Sequence, residues 1–89
     1  MNPLQRIRQA IREERYRVST HANDEMADDA LEIADIEQMI LTGKIHKKLT
    51  HDVRGTRYEI FGATIDHRYG YVVCRFLSSG TLLIITAYV

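Results

Sequence analysis

One cysteine, one proline and no tryptophan occur among the 89 residues of this chain. The lone Cys74 excludes an internal disulfide, and without a second cysteine there is no Cys-based zinc cluster; an inert core thiol is expected. Apolar runs stop at four residues, as at Leu82 to Ile85, whereas a membrane span needs roughly 20. The N-terminus lacks the apolar core of a signal peptide, so a cytoplasmic protein with no membrane contact is expected. Net charge is also missing: 12 Lys and Arg balance 12 Asp and Glu. The pI of about 6.9 lies well below the basic values usual for nucleic-acid-binding domains. What remains is ordinary globular material, 45% hydrophobic and 27% charged, which excludes wholesale disorder. The length fits one domain, residues 1–89, with a small core.

The charges are unevenly distributed. Five arginines against Glu13 and Glu14 leave +3 over residues 1–17. Residues 23–37 carry seven acids and no base, and residues 44–89 hold seven bases against Asp52, Glu59 and Asp66, leaving +4. Such a dipole suits a charged partner, or acids and bases that face each other within the fold.

Hydrophobic spacing gives the architecture. Asn2 as cap, Pro3 at the first helical position and the stripe Leu4, Ile7, Ala10, Ile11 predict a helix over residues 1–14. Arg15 to Ser19 alternates weakly, as a short strand does. Thr20 is the expected cap of a second helix with Ala22, Met26 and Ala30 on one face. A third, from about Asp35 to Thr42, buries Ile36, Met39 and Ile40 and stops at Gly43. Whether residues 21–42 form one helix or two is left open, since no Gly or Pro marks a junction.

Beyond Gly43 the period becomes two. Ile45, Lys47 and Leu49 alternate with His46 and Lys48; Asp52 to Gly55 forms a turn, with Asp52 bonding its own backbone and Gly55 at positive φ. Thr56–Phe61, Tyr71–Leu77 and Leu82–Val89 read as strands, with Gly62 to Gly70 a polar connection. Pairing Leu77 with Leu82 sets Arg75 opposite Ile84, Val73 opposite Thr86 and Tyr71 opposite Tyr88. One face then carries Val72, Cys74, Phe76, Leu83, Ile85 and Ala87 as core. The other displays Tyr71, Arg75, Thr86, Tyr88 and Arg57. The expected fold is α+β, with N-terminal helices packed on one face of an antiparallel meander.

The open face carries the candidate chemistry. Arginines grip phosphates, tyrosines stack on bases, and a His, Lys or Tyr moves a proton when a ribose 2′-OH attacks its phosphate. Arg75 also has a structural reading, an ion pair with Glu59. His21 and Glu25, four apart on a helix, form either a poised base, two ligands of a metal, or a packing pair; with no further ligand at suitable spacing, no metal and no cofactor are expected. His46, His51 and His67 read as solvated.

The chain resembles a bacterial family of short domains known only as a domain of unknown function. The resemblance is carried by His21-Ala22 with Glu25 and Asp28 or Asp29, Leu41-Thr42-Gly43, and His51-Asp52-Val53-Arg54-Gly55. Gly62, Val73-Cys74 and Ile84-Ile85-Thr86-Ala87-Tyr88 complete it, over about Tyr16 to Tyr88. The element order is more distantly similar to the RelE/ParE/BrnT-like toxins. Many relatives have Arg at the positions of Glu25 and Asp29 and Pro at Val53, so here the acidic helix lacks two charges that RNA would favour. The toxin-like resemblance implies a metal-independent mRNA endoribonuclease, possible RNA and antitoxin partners, and catalysis by Arg57, Arg75 and Tyr88 with His21 or His67 moving the proton. Lys47, Lys48, Arg54, Arg68 and Tyr71 are the expected substrate contacts. The competing reading is a non-catalytic protein-binding module using the same exposed Tyr and Arg side chains. A homodimer is expected on either view, because the apolar final strand or the helix stripe Leu4, Ile7 and Ile11 needs cover.

Overall fold

The computed structural model describes residues 1–89. Helix α1 spans Pro3–Arg12. Asn2 caps it as its side chain accepts from the Gln5 N–H at 2.9 Å, while Gln5 Oε1 accepts from the Asn2 N–H at 3.1 Å. Ile7, Ala10 and Ile11 are buried along one face. Strand β1 is Tyr16–Val18, and α2 is Thr20–Asp28. Its cap is Ser19, one residue earlier than expected. Ser19 Oγ accepts from the Ala22 N–H at 3.0 Å and donates to the Ile85 carbonyl at 2.9 Å, a second bond that Thr20 does not supply.

Helices α2 and α3 are separate. Ala30 adopts φ 54° at the break, Leu31 turns into the core, and α3 runs over Ile33–Thr42, starting before the expected Asp35. Asp35 explains the early start. It is buried within the first turn, where its Oδ2 accepts from the Glu32 N–H at 3.0 Å and its Oδ1 from the Ile65 N–H at 3.1 Å. Gly43 ends the helix as expected.

Strands β2 (Lys44–Leu49), β3 (Arg57–Ala63), β4 (Tyr69–Phe76) and β5 (Leu82–Tyr88) follow as an antiparallel meander. The sheet order is β1-β5-β4-β3-β2, and β1 pairs with β5 in parallel, so the sheet is mixed rather than wholly antiparallel. The α+β class stands, with α2 against β5, α3 against β3 and α1 against α3. Gly62 lets α3 lie directly on β3: a Cβ there would collide with the Met39 carbonyl. The polar connection between β3 and β4 shrinks to residues 64–68, because both strands extend into it.

A bulge corrects the expected pairing of the last two strands. Tyr71 opposes Tyr88 and Val73 opposes Thr86 as predicted, but Cys74 then opposes Ile84, Arg75 opposes Leu83 and Phe76 opposes Leu82. The extra residue is Ile85. It reverses the alternation, so Leu82 and Ile84 enter the core in place of Leu83 and Ile85. A second irregularity, at His46, lies between Ile45 opposite Ile60 and Lys47 opposite Glu59.

The surfaces from which a homodimer was expected are covered within the chain. Strand β5 is central, between β1 and β4, and Ile7 and Ile11 lie in the domain's own core. No helix is long and apolar enough to cross a membrane.

Candidate functional site

The face of the sheet away from the helices is built by alternation along four strands. Along β3 it presents Arg57, Glu59 and Phe61; along β4, Tyr69, Tyr71, Val73 and Arg75; on β5, Leu83, Thr86 and Tyr88. Beside them β2 supplies Lys44, Lys47 and, through its bulge, His46.

Aromatic rings join into a strip over this face. Ring centroids lie 5.7 Å apart for Phe61–Tyr69, which are stacked at 13°, 5.3 Å for Phe61–Tyr71 and 5.7 Å for Tyr71–Tyr88. The His46 ring extends the strip, 5.4 Å from Tyr71. His46 Nδ1 is 3.5 Å from Glu59 Oε2, and the Glu59 side chain is only 14% exposed. Partial burial raises the Tyr88 hydroxyl pKa, and the charges of Glu59 and Glu25 and the Tyr71 hydroxyl add to the effect.

Cations gather at the opposite end of β3. Lys48, His51, Arg54 and Arg57 wall a recess of about 460 Å³, with Leu49, Thr50 and Asp52 completing it. The turn beneath it has the expected form: Asp52 Oδ1 accepts from the Arg54 N–H at 2.9 Å, and Gly55 has φ 118°. That backbone hydrogen bond lowers the Asp52 pKa, assisted by the Arg54 and Arg57 guanidinium groups, whose Nε atoms each lie 3.3 Å from the carboxylate. For Arg57 this is a charge contact without hydrogen-bond alignment, and its Nε is buried without a partner. Arg75 donates from Nη1 to the Arg54 carbonyl at 3.0 Å. The expected Arg75–Glu59 ion pair is therefore replaced. Glu59 opposes Val73, one pleat from Arg75, and turns to His46 instead.

The remaining candidates are scattered. Lys47 opposes Glu59, and Lys48 opposes Tyr58 at the sheet margin. His67 occupies the β3–β4 turn at φ 66° and is exposed. Arg68 is committed to the fold: it pairs with Asp66 and donates to the carbonyls of Asp29 and Ala30 at 2.6 and 3.1 Å, tying the β3–β4 turn to the end of α2. His21 Nε2 is 3.3 Å from Glu25 Oε1, with 68% of the His21 side chain exposed. Glu25 Oε1 has a second duty, accepting from the Ala87 N–H at 3.1 Å, and Asp29 Oδ2 accepts from the Val89 N–H at 3.0 Å. No group of three or more His, Cys, Asp and Glu side chains could hold a metal ion.

Site features that sequence reading overlooked are thus His46 with Glu59, and the aromatic partners Phe61 and Tyr69. Aligning Lys44–Leu49 with Arg57–Phe61 as a hairpin would have brought His46 close to Glu59. Nothing in the residue types marks the bulge that completes the contact.

Fold and open face together define a small α+β domain with a basic recess and an aromatic sheet surface. Residues 18–89 match the family model described as Domain of unknown function (DUF4258), and the chain belongs to that family. No curated protein and no solved structure matches the chain. Helix α1 and most of β1 precede the matched segment.

Proposed function

We propose that the open sheet face binds single-stranded RNA and that the domain is a metal-independent, toxin-like mRNA endoribonuclease with His46 and Glu59 as its proton-transfer pair. The observation that carries this reading is the 3.5 Å approach of His46 to a largely buried Glu59 inside an aromatic strip. The Glu59 carboxylate faces Nδ1 as a charge contact that favours a protonated imidazole product, and Nε2 serves as base. Nε2 takes the 2′-OH proton as that oxygen bonds to the adjacent phosphorus. The bond from phosphorus to the 5′-oxygen breaks, and the leaving oxygen is protonated by a group on the face. The products are a 2′,3′-cyclic phosphate and a 5′-hydroxyl, so no metal or cofactor enters the balance. Lys47, opposite Glu59, offsets charge on the phosphate oxygens, and Tyr71, Phe61 and Tyr88 stack on bases. In this role His46 stands in for His21 or His67, the proton-transfer candidates expected from sequence. The setting is cytoplasmic, with mRNA as substrate and a neutralising antitoxin as protein partner; a homodimer is compatible with the exposed β2 edge.

The exposure of Phe61, Tyr69 and Tyr88 on the same face favours one competing reading, a non-catalytic protein-binding module. Incubating purified protein with mRNA separates the two. Under the nuclease reading His46→Ala lowers the cleavage rate about 100-fold or more while RNA remains bound, a general-base-sized loss. RNA bound but never cut removes the catalytic step and leaves an RNA-binding face. No RNA binding at all overturns the proposal.

A further inference from the structure

The basic recess at the β2–β3 hairpin is separate from the proton-transfer pair and asks for a ligand of its own. Its walls hold three permanent cations, Lys48, Arg54 and Arg57, against one carboxylate, Asp52. With His51 neutral the lining carries +2. Asp52 holds the Arg54 and Arg57 guanidinium groups side by side without satisfying both, since the Arg57 Nε–H has no aligned acceptor and no access to solvent. Both side chains stay partly exposed, 70% for Arg54 and 37% for Arg57, so their outer guanidinium N–H groups remain open to an external oxygen. Arg75 secures the turn from below through the Arg54 carbonyl, which fixes the wall without spending the Arg54 side chain.

Charge selects among phosphates. A phosphodiester linkage brings one negative charge, whereas a phosphate monoester carries about −1.5 to −2 at pH 7 and three terminal oxygens. The second matches both the +2 lining and the fork geometry of two adjacent arginines. We propose that the recess binds a phosphate monoester, presented as the terminal phosphate of an RNA strand laid over the open face; the RNA source rests on the functional reading above, whereas the monoester chemistry does not. Arg57 and Phe61 lie four residues apart along β3, about 13 Å at roughly 3.3 Å per residue, so the end phosphate and the first stacked base occupy different ends of one strand path.

The test uses the full chain and short 2′-O-methyl oligonucleotides, which cannot be cleaved by 2′-OH attack, carrying a 5′-phosphate, a 3′-phosphate or hydroxyl ends. Fluorescence polarisation gives the affinities, with adenosine monophosphate and inorganic phosphate as competitors. One phosphorylated end binds about tenfold more tightly than hydroxyl ends, as expected for one or two charge-assisted hydrogen bonds. Arg54→Ala and, independently, the exposed Lys48→Ala remove that preference without changing the thermal melt. If the monophosphate and inorganic phosphate bind, and these variants abolish that binding, but end preference is absent, the source is a small molecule and the monoester chemistry holds. Equal affinity for all ends together with no competition by either small phosphate overturns the inference. Hydroxyl-ended RNA that still binds in that case leaves the open-face reading intact, so the two failures are distinct.

Discussion

Glu25 and Asp29 show how a single side chain can replace a missing strand. β1 ends at Val18, so the outer edge of β5 beyond Ile84 has no backbone neighbour, yet its Ala87 and Val89 N–H groups are satisfied by these two carboxylates. Glu25→Ala leaves the Ala87 donor without its partner and is expected to cost about 1–3 kcal/mol in urea unfolding. Glu25→Gln keeps an acceptor oxygen and should recover most of that loss; equal losses for both variants would assign the effect to something other than this bond. Tyr16 has a different dependence. Burial, then its hydrogen bond to Glu37 Oε2 at 2.8 Å and the charge of that carboxylate, raise its pKa from 10.0 to about 12. The folded state therefore holds the phenol proton more tightly than the unfolded chain. Its stabilisation is fully present below about pH 10 and is lost as pH rises from there toward 12. Urea midpoints measured across this interval should fall more steeply for the parent protein than for Tyr16→Phe.

At the scale of elements, periodicity was legible wherever packing repeats regularly. The α1 stripe, the buried face of α3, the β2–β5 meander and the Tyr71–Tyr88 pairing follow from spacing alone, because each buries every second, third or fourth residue against one neighbour. Legibility failed where a distant group decides the local geometry. Ile85 bulges within an unbroken apolar run, and its carbonyl is held by Ser19, 66 residues away in sequence. Four apolar residues in a row carry no parity, so either alternate pair could have faced inward. The start of α3 was obscured in part in the same way, since Asp35, besides its local bond to the Glu32 N–H, is held by the Ile65 N–H across the fold. Within the site, the cationic cluster of Arg54, Arg57 and Lys48 was legible as charge. The role of His46 was not, since it depends on a bulge at the sheet edge. Arg68 resembled a free cation because, apart from nearby Asp66, its acceptors are backbone carbonyls, which no sequence pattern exposes.

For the molecule as a whole, zero net charge limits what long-range attraction can contribute. Seven acids on and around α2 and α3 offset the bases of the sheet, so a polyanion meets attraction only near the recess and its neighbours. Binding of single-stranded RNA should then respond to salt according to a few local contacts. With two to four phosphates neutralised, at about 0.7 per contact, log K against log salt is expected to slope between about −1.4 and −2.8. A slope near zero would mean that RNA does not engage these cations, and a much steeper one would require basic residues beyond this end of the sheet.

The parallel pairing of β1 with β5 also orders events during synthesis. Tyr16 finds its partner in Leu82, and Val18 in Ile84, so strand residues made early wait for the last strand to leave the ribosome. Until then Ser19 lacks the Ile85 carbonyl, and Glu25 and Asp29 have no amides to receive. Closing so long a loop carries an entropic cost that only the finished sheet repays, so the open face assembles only once β5 has left the ribosome. The half of the domain made first is thus a scaffold that stays open until its second half arrives to close it.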